Sequence, residues 1–132
     1  MGPEMDVLVV DDELETRLTL AEVLRDEGYS VGELADGRNL VATVAAARPA
    51  LVLLDLTIPG FDVETTIAEL RTRGLRAETS IVALTGVWEA DRVAAELGLD
   101  GLVRKPPDLN VLLGEIARYV RHSEPPRANA PL

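Results

Sequence analysis

The run Leu51-Val52-Leu53-Leu54, stopping at the carboxylate of Asp55, constrains this chain most. Four large apolar residues in succession, led in by Pro49-Ala50 and followed by Pro59-Gly60, fit a strand buried on both faces. That is the signature of a parallel sheet covered by helices on either side. Asp55 then emerges at the carboxyl end of the strand, the edge at which open α/β sheets bind ligands. A single acid at a strand end is more often a turn residue or a helix cap. The remainder of the chain has to decide between these readings.

Four further segments repeat the pattern. Asp6-Val7-Leu8-Val9-Val10 ends in Asp11-Asp12-Glu13, and Tyr29 to Leu34 ends near the turn Asp36-Gly37. Ser80-Ile81-Val82-Ala83-Leu84 stops at Thr85-Gly86, and Gly101-Leu102-Val103 runs into Arg104-Lys105-Pro106-Pro107. Between and after them lie helical patterns. Leu14, Leu18, Ala21 and Leu24 recur at helical spacing as the expected inner face of a first helix, with Gly28 as its stop. A second helix is predicted over Leu40 to Ala47. A third, capped by Asp62, has Val63, Ile67 and Leu70 inside and ends at Gly74. A fourth runs from about Trp88 to Leu97 and stops at Gly98. A fifth, capped by Asp108, buries Leu109, Leu112, Leu113, Ile116 and Val120. Five strands alternating with five helices demand parallel strands joined by right-handed crossovers. The expected fold is an α/β, doubly wound (βα)5 sandwich; an eight-stranded barrel needs far more chain.

Composition narrows the function. The 132 residues are 47% hydrophobic but only 3% aromatic, so the core is aliphatic. A formal charge of −10 argues against direct nucleic acid binding and against anionic membranes. No apolar run is long enough to span a bilayer and no signal peptide opens the chain, so a cytoplasmic location is expected. Absence of cysteine removes thiolate chemistry, and a single histidine, His122 in the tail, argues against a zinc site. From His122 onward the chain holds three prolines and little that is apolar, and it reads as a disordered tail or linker over 122–132. Residues 1–4 read as an expression remnant or disordered start.

The polar strand ends converge. In a parallel sheet Asp11, Asp12, Asp55, Thr85 and Lys105 all fall on one edge. Three carboxylates held together repel and raise one another's pKa values. A hard divalent cation relieves that, and Mg²⁺ is the one that takes a few carboxylates and keeps its waters. Beside the metal, a hydroxyl (Thr85) and an ammonium (Lys105) suit phosphoryl oxygens. The set describes charge neutralisation around an aspartate nucleophile in phosphoryl transfer. Each residue has a plainer role available: Asp11 or Asp12 as a cap of the first helix, Thr85 as a turn hydroxyl, Lys105 as an exposed charge.

On the motifs Val9-Val10-Asp11-Asp12-Glu13, Leu53-Leu54-Asp55-Leu56-Thr57-Ile58-Pro59-Gly60, Ala83-Leu84-Thr85-Gly86 and Lys105-Pro106, the chain resembles the receiver domain of two-component response regulators over residues 5–121. The resemblance implies a five-stranded flavodoxin-like (CheY-like) sheet in the order 2-1-3-4-5. It implies that Asp55 is the phosphoacceptor and that Mg²⁺ is held by Asp11, Asp12, Asp55 and the backbone carbonyl of Thr57, with Asp12 binding directly and Asp11 partly through water. It makes Thr85 and Lys105 the groups that follow the phosphoryl group, and a cis bond is implied between Lys105 and Pro106. The implied donors are a histidine kinase or phosphotransfer protein, or a small phosphodonor such as acetyl phosphate. The resemblance also implies that loss of the phosphate is partly self-catalysed, which would make the chain a signalling phosphoacceptor rather than an enzyme. The resemblance implies output to a downstream protein partner or output domain, and a homodimer through the fourth helix, last strand and fifth helix is the family's usual arrangement. A stand-alone receiver and one cut from a larger regulator fit the sequence equally.

Four positions depart from the family pattern. Leu102 stands at the switch position beside Thr85, where Tyr or Phe is usual; Gly86 replaces a common Ala, Val63 the Gly after the loop aspartate, and Pro107 a common Phe. Alternatives remain. A degenerate receiver would act as a protein-interaction scaffold. A haloacid-dehalogenase-type phosphatase also uses Asp, Thr and Lys, but it wants a second Asp at position 57, and only Asp108 lies near its later acidic pair. A flavin binder would meet repulsion between its phosphate and Asp11-Asp12-Glu13. If repulsion among the three carboxylates dominates, Asp12→Ala raises the melting temperature measured without divalent metal; a clear fall counts against it.

Overall fold

The computed structural model describes residues 4–86 and 89–120. Trp88, the start from Met1 to Pro3 and the tail from His122 lie outside the described residues, so the expectations for them are not addressed by it. Five parallel strands form one sheet: β1 (Met5–Val10), β2 (Val31–Leu34), β3 (Pro49–Asp55), β4 (Ser80–Thr85) and β5 (Gly101–Arg104), in the order β2-β1-β3-β4-β5. The helices are α1 (Leu14–Asp26), α2 (Leu40–Ala47), α3 (Val63–Thr72), α4 (Ala90–Glu96) and α5 (Leu109–Tyr119). A short 3₁₀ turn over Leu75–Ala77, not anticipated from the sequence, joins α3 to β4.

The uninterrupted apolar runs are explained by two cores. Successive strand side chains point to opposite faces. Val7, Val9, Leu51, Leu53, Val82 and Leu84 pack on one face against Leu20 and Leu24 of α1 and Leu112 and Ile116 of α5. Leu8, Val10, Val52, Leu54 and Ile81 pack on the other against Leu40 and Val44 of α2 and Ile67 and Leu70 of α3. Both faces of β1, β3 and β4 are therefore covered, which leaves no place for polar alternation. The central pairings set Val10 beside Leu54 and Asp55 beside Leu84, so the strands end level at one edge.

Local signals place most helix ends where the sequence puts them. Asp62 Oδ1 accepts the Thr65 amide and caps α3; Asp108 Oδ1 accepts the amides of Asn110 and Val111 and caps α5. Gly28, Gly74 and Gly98 adopt positive φ just past helical segments, as C-terminal stops do. Tyr29 and Ser30 precede β2 rather than belonging to it.

The inner face of α1 differs from the sequence reading. Leu14 and Leu18 are 56% and 49% exposed, and the buried residues are Leu20, Ala21 and Leu24. Leu109, expected inside α5, is likewise exposed. The helix is rotated so that Arg17, not Leu18, occupies the inward row with Leu20, Ala21 and Leu24. Arg17 finds polar partners there, the Asp11 carbonyl just past β1 and Glu33 on β2, that no leucine could satisfy. Leu20→Ala is expected to cost about 2–5 kcal/mol, the usual loss for a buried leucine, and Leu18→Ala under about 0.5 kcal/mol. Urea denaturation of the two variants checks the orientation, and equal losses would reverse it.

Candidate functional site

Three carboxylates meet at the carboxyl edge. Asp11 follows β1 directly, Asp12 is next, and Asp55 is the last residue of β3. Oxygens of Asp11, Asp12 and Asp55 lie within 4.8 Å of one another. Asp11 and Asp55 are buried whereas Asp12 is exposed, so two acids form the floor and one the rim. Lys105, just past β5, reaches across the sheet end. Its Nζ lies 2.7 Å from Asp11 Oδ2 and 3.2 Å from Asp55 Oδ2. The second contact is a hydrogen bond. The first is a close ammonium–carboxylate ion pair, so the buried Asp11 Oδ2 has the Lys105 charge as its partner.

Each remaining expected residue has a definite place. Thr85 is the last residue of β4, fully buried, and its carbonyl accepts the Lys105 amide at 3.0 Å. That bond ties the ends of β4 and β5 together next to the carboxylates. Leu102 is half-buried on β5 opposite Ala83, and does not join the cluster. The Lys105–Pro106 peptide is cis, as the resemblance implied. Neither Asp11 nor Asp12 caps α1. The cap position is Glu13, and Asp11 Oδ1 instead accepts the Glu13 amide at 2.9 Å across a tight turn.

Thr57 contributes more than sequence reasoning assigned to it. Its amide and its hydroxyl both donate to Asp55 Oδ1, at 2.8 and 2.7 Å. A threonine two residues after an aspartate is a recognisable turn pattern, and that spacing was the available signal. The loop bearing Thr57 is fastened downstream. Pro59-Gly60 turns the chain, with Gly60 at φ +71° and the Phe61 amide donating to the Ile58 carbonyl. Ile58 is buried, and the Phe61 ring lies against Gly37, where a β-carbon would overlap it.

The electrostatics correct the expectation of mutual repulsion. The Asp11 carboxyl is pushed up mainly by burial, Asp55 adding only a minor part, with Lys105 and the Glu13 amide pulling down. Asp55 is also penalised by burial, yet the Thr57 donors and Lys105 outweigh it and hold its carboxyl below the usual range. Burial lowers Lys105 as well, but the two aspartates raise it above an ordinary lysine. Asp11 and Asp55 thus shift in opposite directions around one cation, and their mutual repulsion is a minor cause beside burial.

Fold and site define a flavodoxin-like α/β domain with an acidic pocket at the carboxyl edge of its sheet. The chain belongs to the response regulator receiver domain family, whose model matches residues 7–117, and is thus a receiver domain of two-component response regulators. The transcriptional regulatory protein TcrA of Mycobacterium tuberculosis is 35% identical over 92% of this chain, which spans 48% of that protein. Sporulation initiation phosphotransferase F of Bacillus subtilis is 30% identical over 86% of this chain and 92% of its own length. Chemotaxis protein CheY4 of Vibrio cholerae superposes with a TM-score of 0.78 at 28% identity, covering 88% of this chain and 98% of that one. The chain therefore spans about half the length of the regulators it matches and nearly all of the single-domain relatives. Receiver domains generally bind Mg²⁺ at such a pocket, and response regulators interact with histidine kinases or phosphotransfer proteins and with output domains. Among the described residues no helix is long and apolar enough to cross a membrane.

Because the Thr57 hydroxyl holds Asp55 Oδ1, Thr57→Val should move the Asp55 pKa upward while the amide bond persists. A carboxyl-carbon NMR titration reads this; an unmoved Asp55 would remove the hydroxyl from the account.

Proposed function

We propose that this chain is the phosphoacceptor of a two-component or phosphorelay system, with Asp55 as the nucleophile. The observation that carries this is the Lys105 ammonium shared between Asp11 and Asp55 while Thr57 fixes the other Asp55 oxygen. An ionised, oriented carboxylate with a cation beside it is what attack on phosphorus needs. The Asp55 oxygen forms the new bond to phosphorus. The bond to the donor breaks, and the imidazole of a phosphohistidine, or acetate from acetyl phosphate, leaves with the electron pair. The product is an acyl phosphate on this chain, lost again by hydrolysis, so the domain modifies itself rather than turning over an external substrate.

The donor set fits Mg²⁺. All the offered atoms are carboxylate oxygens, and the one Lys105 charge does not neutralise the buried Asp11 and Asp55 together with the exposed Asp12. Asp11, Asp12, Asp55 and the Thr57 carbonyl would hold the ion. When bound, Mg²⁺ supplies neutralisation of the phosphoryl oxygens. Lys105 would exchange part of its pairing with Asp55 for a phosphoryl oxygen, and the Thr85 hydroxyl would donate to another. Since the Lys105 amide is bonded to the Thr85 carbonyl, displacement of either residue strains the β4–β5 edge. Leu102 on that edge would relay the change by packing, without the aromatic rotation its family position usually provides.

The partner faces differ in character. On the α4–β5–α5 face Arg104 pairs with Asp91, Arg118 with Glu115, and Arg92 with Glu89. Those pairs leave it polar, and a homodimer there would rest on exchanging such charges. Of the five large apolar residues exposed among the described residues, four (Leu14, Leu18, Leu109 and Val111) lie on α1 and α5, and one, Val93, on α4. Leu14 and Leu109 follow Asp12 and Lys105 closely in the chain, and a groove of about 400 Å³ between α1 and α5 includes Pro107 and Leu109. This side suits docking of the phosphodonor protein.

Incubation with acetyl phosphate and Mg²⁺, followed by intact-mass measurement, tests the reading. We expect a gain of one phosphoryl group, absent with chelator and absent in Asp55→Asn. A gain that persists in Asp55→Asn would overturn the nucleophile.

A further inference from the structure

The inward rotation of α1 places a cation under the acidic loop. Arg17 sits one turn into the helix, its side chain only 14% exposed. Burying a guanidinium near a helix N-terminus is unfavourable on two counts: desolvation, and the positive end of the helix dipole. A hydrogen bond and an ion pair compensate. Nη1 donates to the Asp11 carbonyl at 2.9 Å, and Nε lies 3.4 Å from Glu33 Oε1 on β2. Glu33 is held in turn: its Oε2 accepts from Arg25 Nη2 at 3.3 Å, while the same nitrogen donates to the Val31 carbonyl at 2.9 Å. A chain of contacts therefore runs from β2 through Glu33 and Arg17 to the backbone between Asp11 and Asp12.

We propose that Arg17 is a positioning residue for the metal site, fixing the Asp11-Asp12 peptide so that the exposed Asp12 carboxylate stays beside the buried pair. The inference rests on reading that acidic cluster as the Mg²⁺ site. Asp11 is already secured on its other sides. Its amide donates to the Leu34 carbonyl, and its Oδ1 accepts the Glu13 amide. Its carbonyl heads the one peptide whose rotation would swing Asp12 away, and Arg17 is the side chain bonded to it. The guanidinium bonds the backbone carbonyl and leaves the carboxylate oxygens free for an ion. Groups that orient metal ligands from behind typically change affinity about 10- to 100-fold when lost.

Isothermal titration with Mg²⁺ on the full chain tests this, with Arg17→Ala, Arg17→Lys and Asp12→Ala compared. We expect Arg17→Ala to weaken Mg²⁺ binding about tenfold. Arg17→Lys, with one nitrogen in place of the two that make these contacts, should fall between. Amide hydrogen exchange in chelator supplies a metal-free readout: Glu13 should exchange faster in Arg17→Ala, while amides in β3 keep their protection. Wild-type Mg²⁺ affinity in both Arg17 variants, with Asp12→Ala abolishing binding, overturns the positioning role and leaves the metal site standing. A wild-type chain that binds no Mg²⁺ overturns the metal reading and this role with it. A fall in melting temperature with affinity and Glu13 exchange unchanged would make Arg17 structural only. Should Arg17→Ala fail to fold, Arg17→Lys carries the same comparison.

Discussion

Burying two carboxylates side by side at the end of a hydrophobic sheet requires a cation, and Lys105 is that cation. Its ammonium lies against both Asp11 and Asp55, which arrive from different strands. The cost of desolvating either acid alone would be large. Sharing one lysine makes the arrangement tolerable but incomplete, because a single ammonium faces two buried carboxylates. An acidic floor held in that condition is suited to accept a further cation and an anion together. The pairing also fixes where β5 must end, since Lys105 reaches the acids only if β4 and β5 finish level, as the Thr85–Lys105 backbone bond makes them.

Around that centre the loops are fastened from behind. Thr57 orients Asp55, and its loop is anchored by Ile58 and by Phe61 against Gly37. Arg17 and Glu33 hold the opposite loop through the Asp11 carbonyl. Both anchorages come from layers that carry no chemistry, which lets the central residues stay in place while the rim, Asp12 and Thr57, remains exposed. A buried floor with an open rim suits the phosphoacceptor role proposed above.

Much of the fold was legible because its signals are local. Apolar runs of strand length, helix caps at Asp62 and Asp108 and stops at Gly28, Gly74 and Gly98 depend on neighbours within a few residues. The site's membership was legible for a topological reason: parallel strands bring their ends to one edge whatever their order. The face of α1 was misread because Leu14 and Leu18 share helical spacing with Ala21, and spacing cannot weigh a leucine against an arginine that has partners elsewhere. The acids' opposite pKa shifts were likewise beyond sequence, since burial depth and donor placement set them.

The amino-acid sequence by itself therefore determined the alternation of strands and helices, the double burial of the sheet and the set of polar groups at its edge. These follow from periodicity and from chain connectivity. Tertiary structure alone decided which acid is floor and which is rim, that one lysine serves two of them, and that α1 turns Arg17 inward and Leu18 out. Those outcomes depend on distances between residues far apart in the chain, where a few ångströms separate an ion pair from a solvated charge.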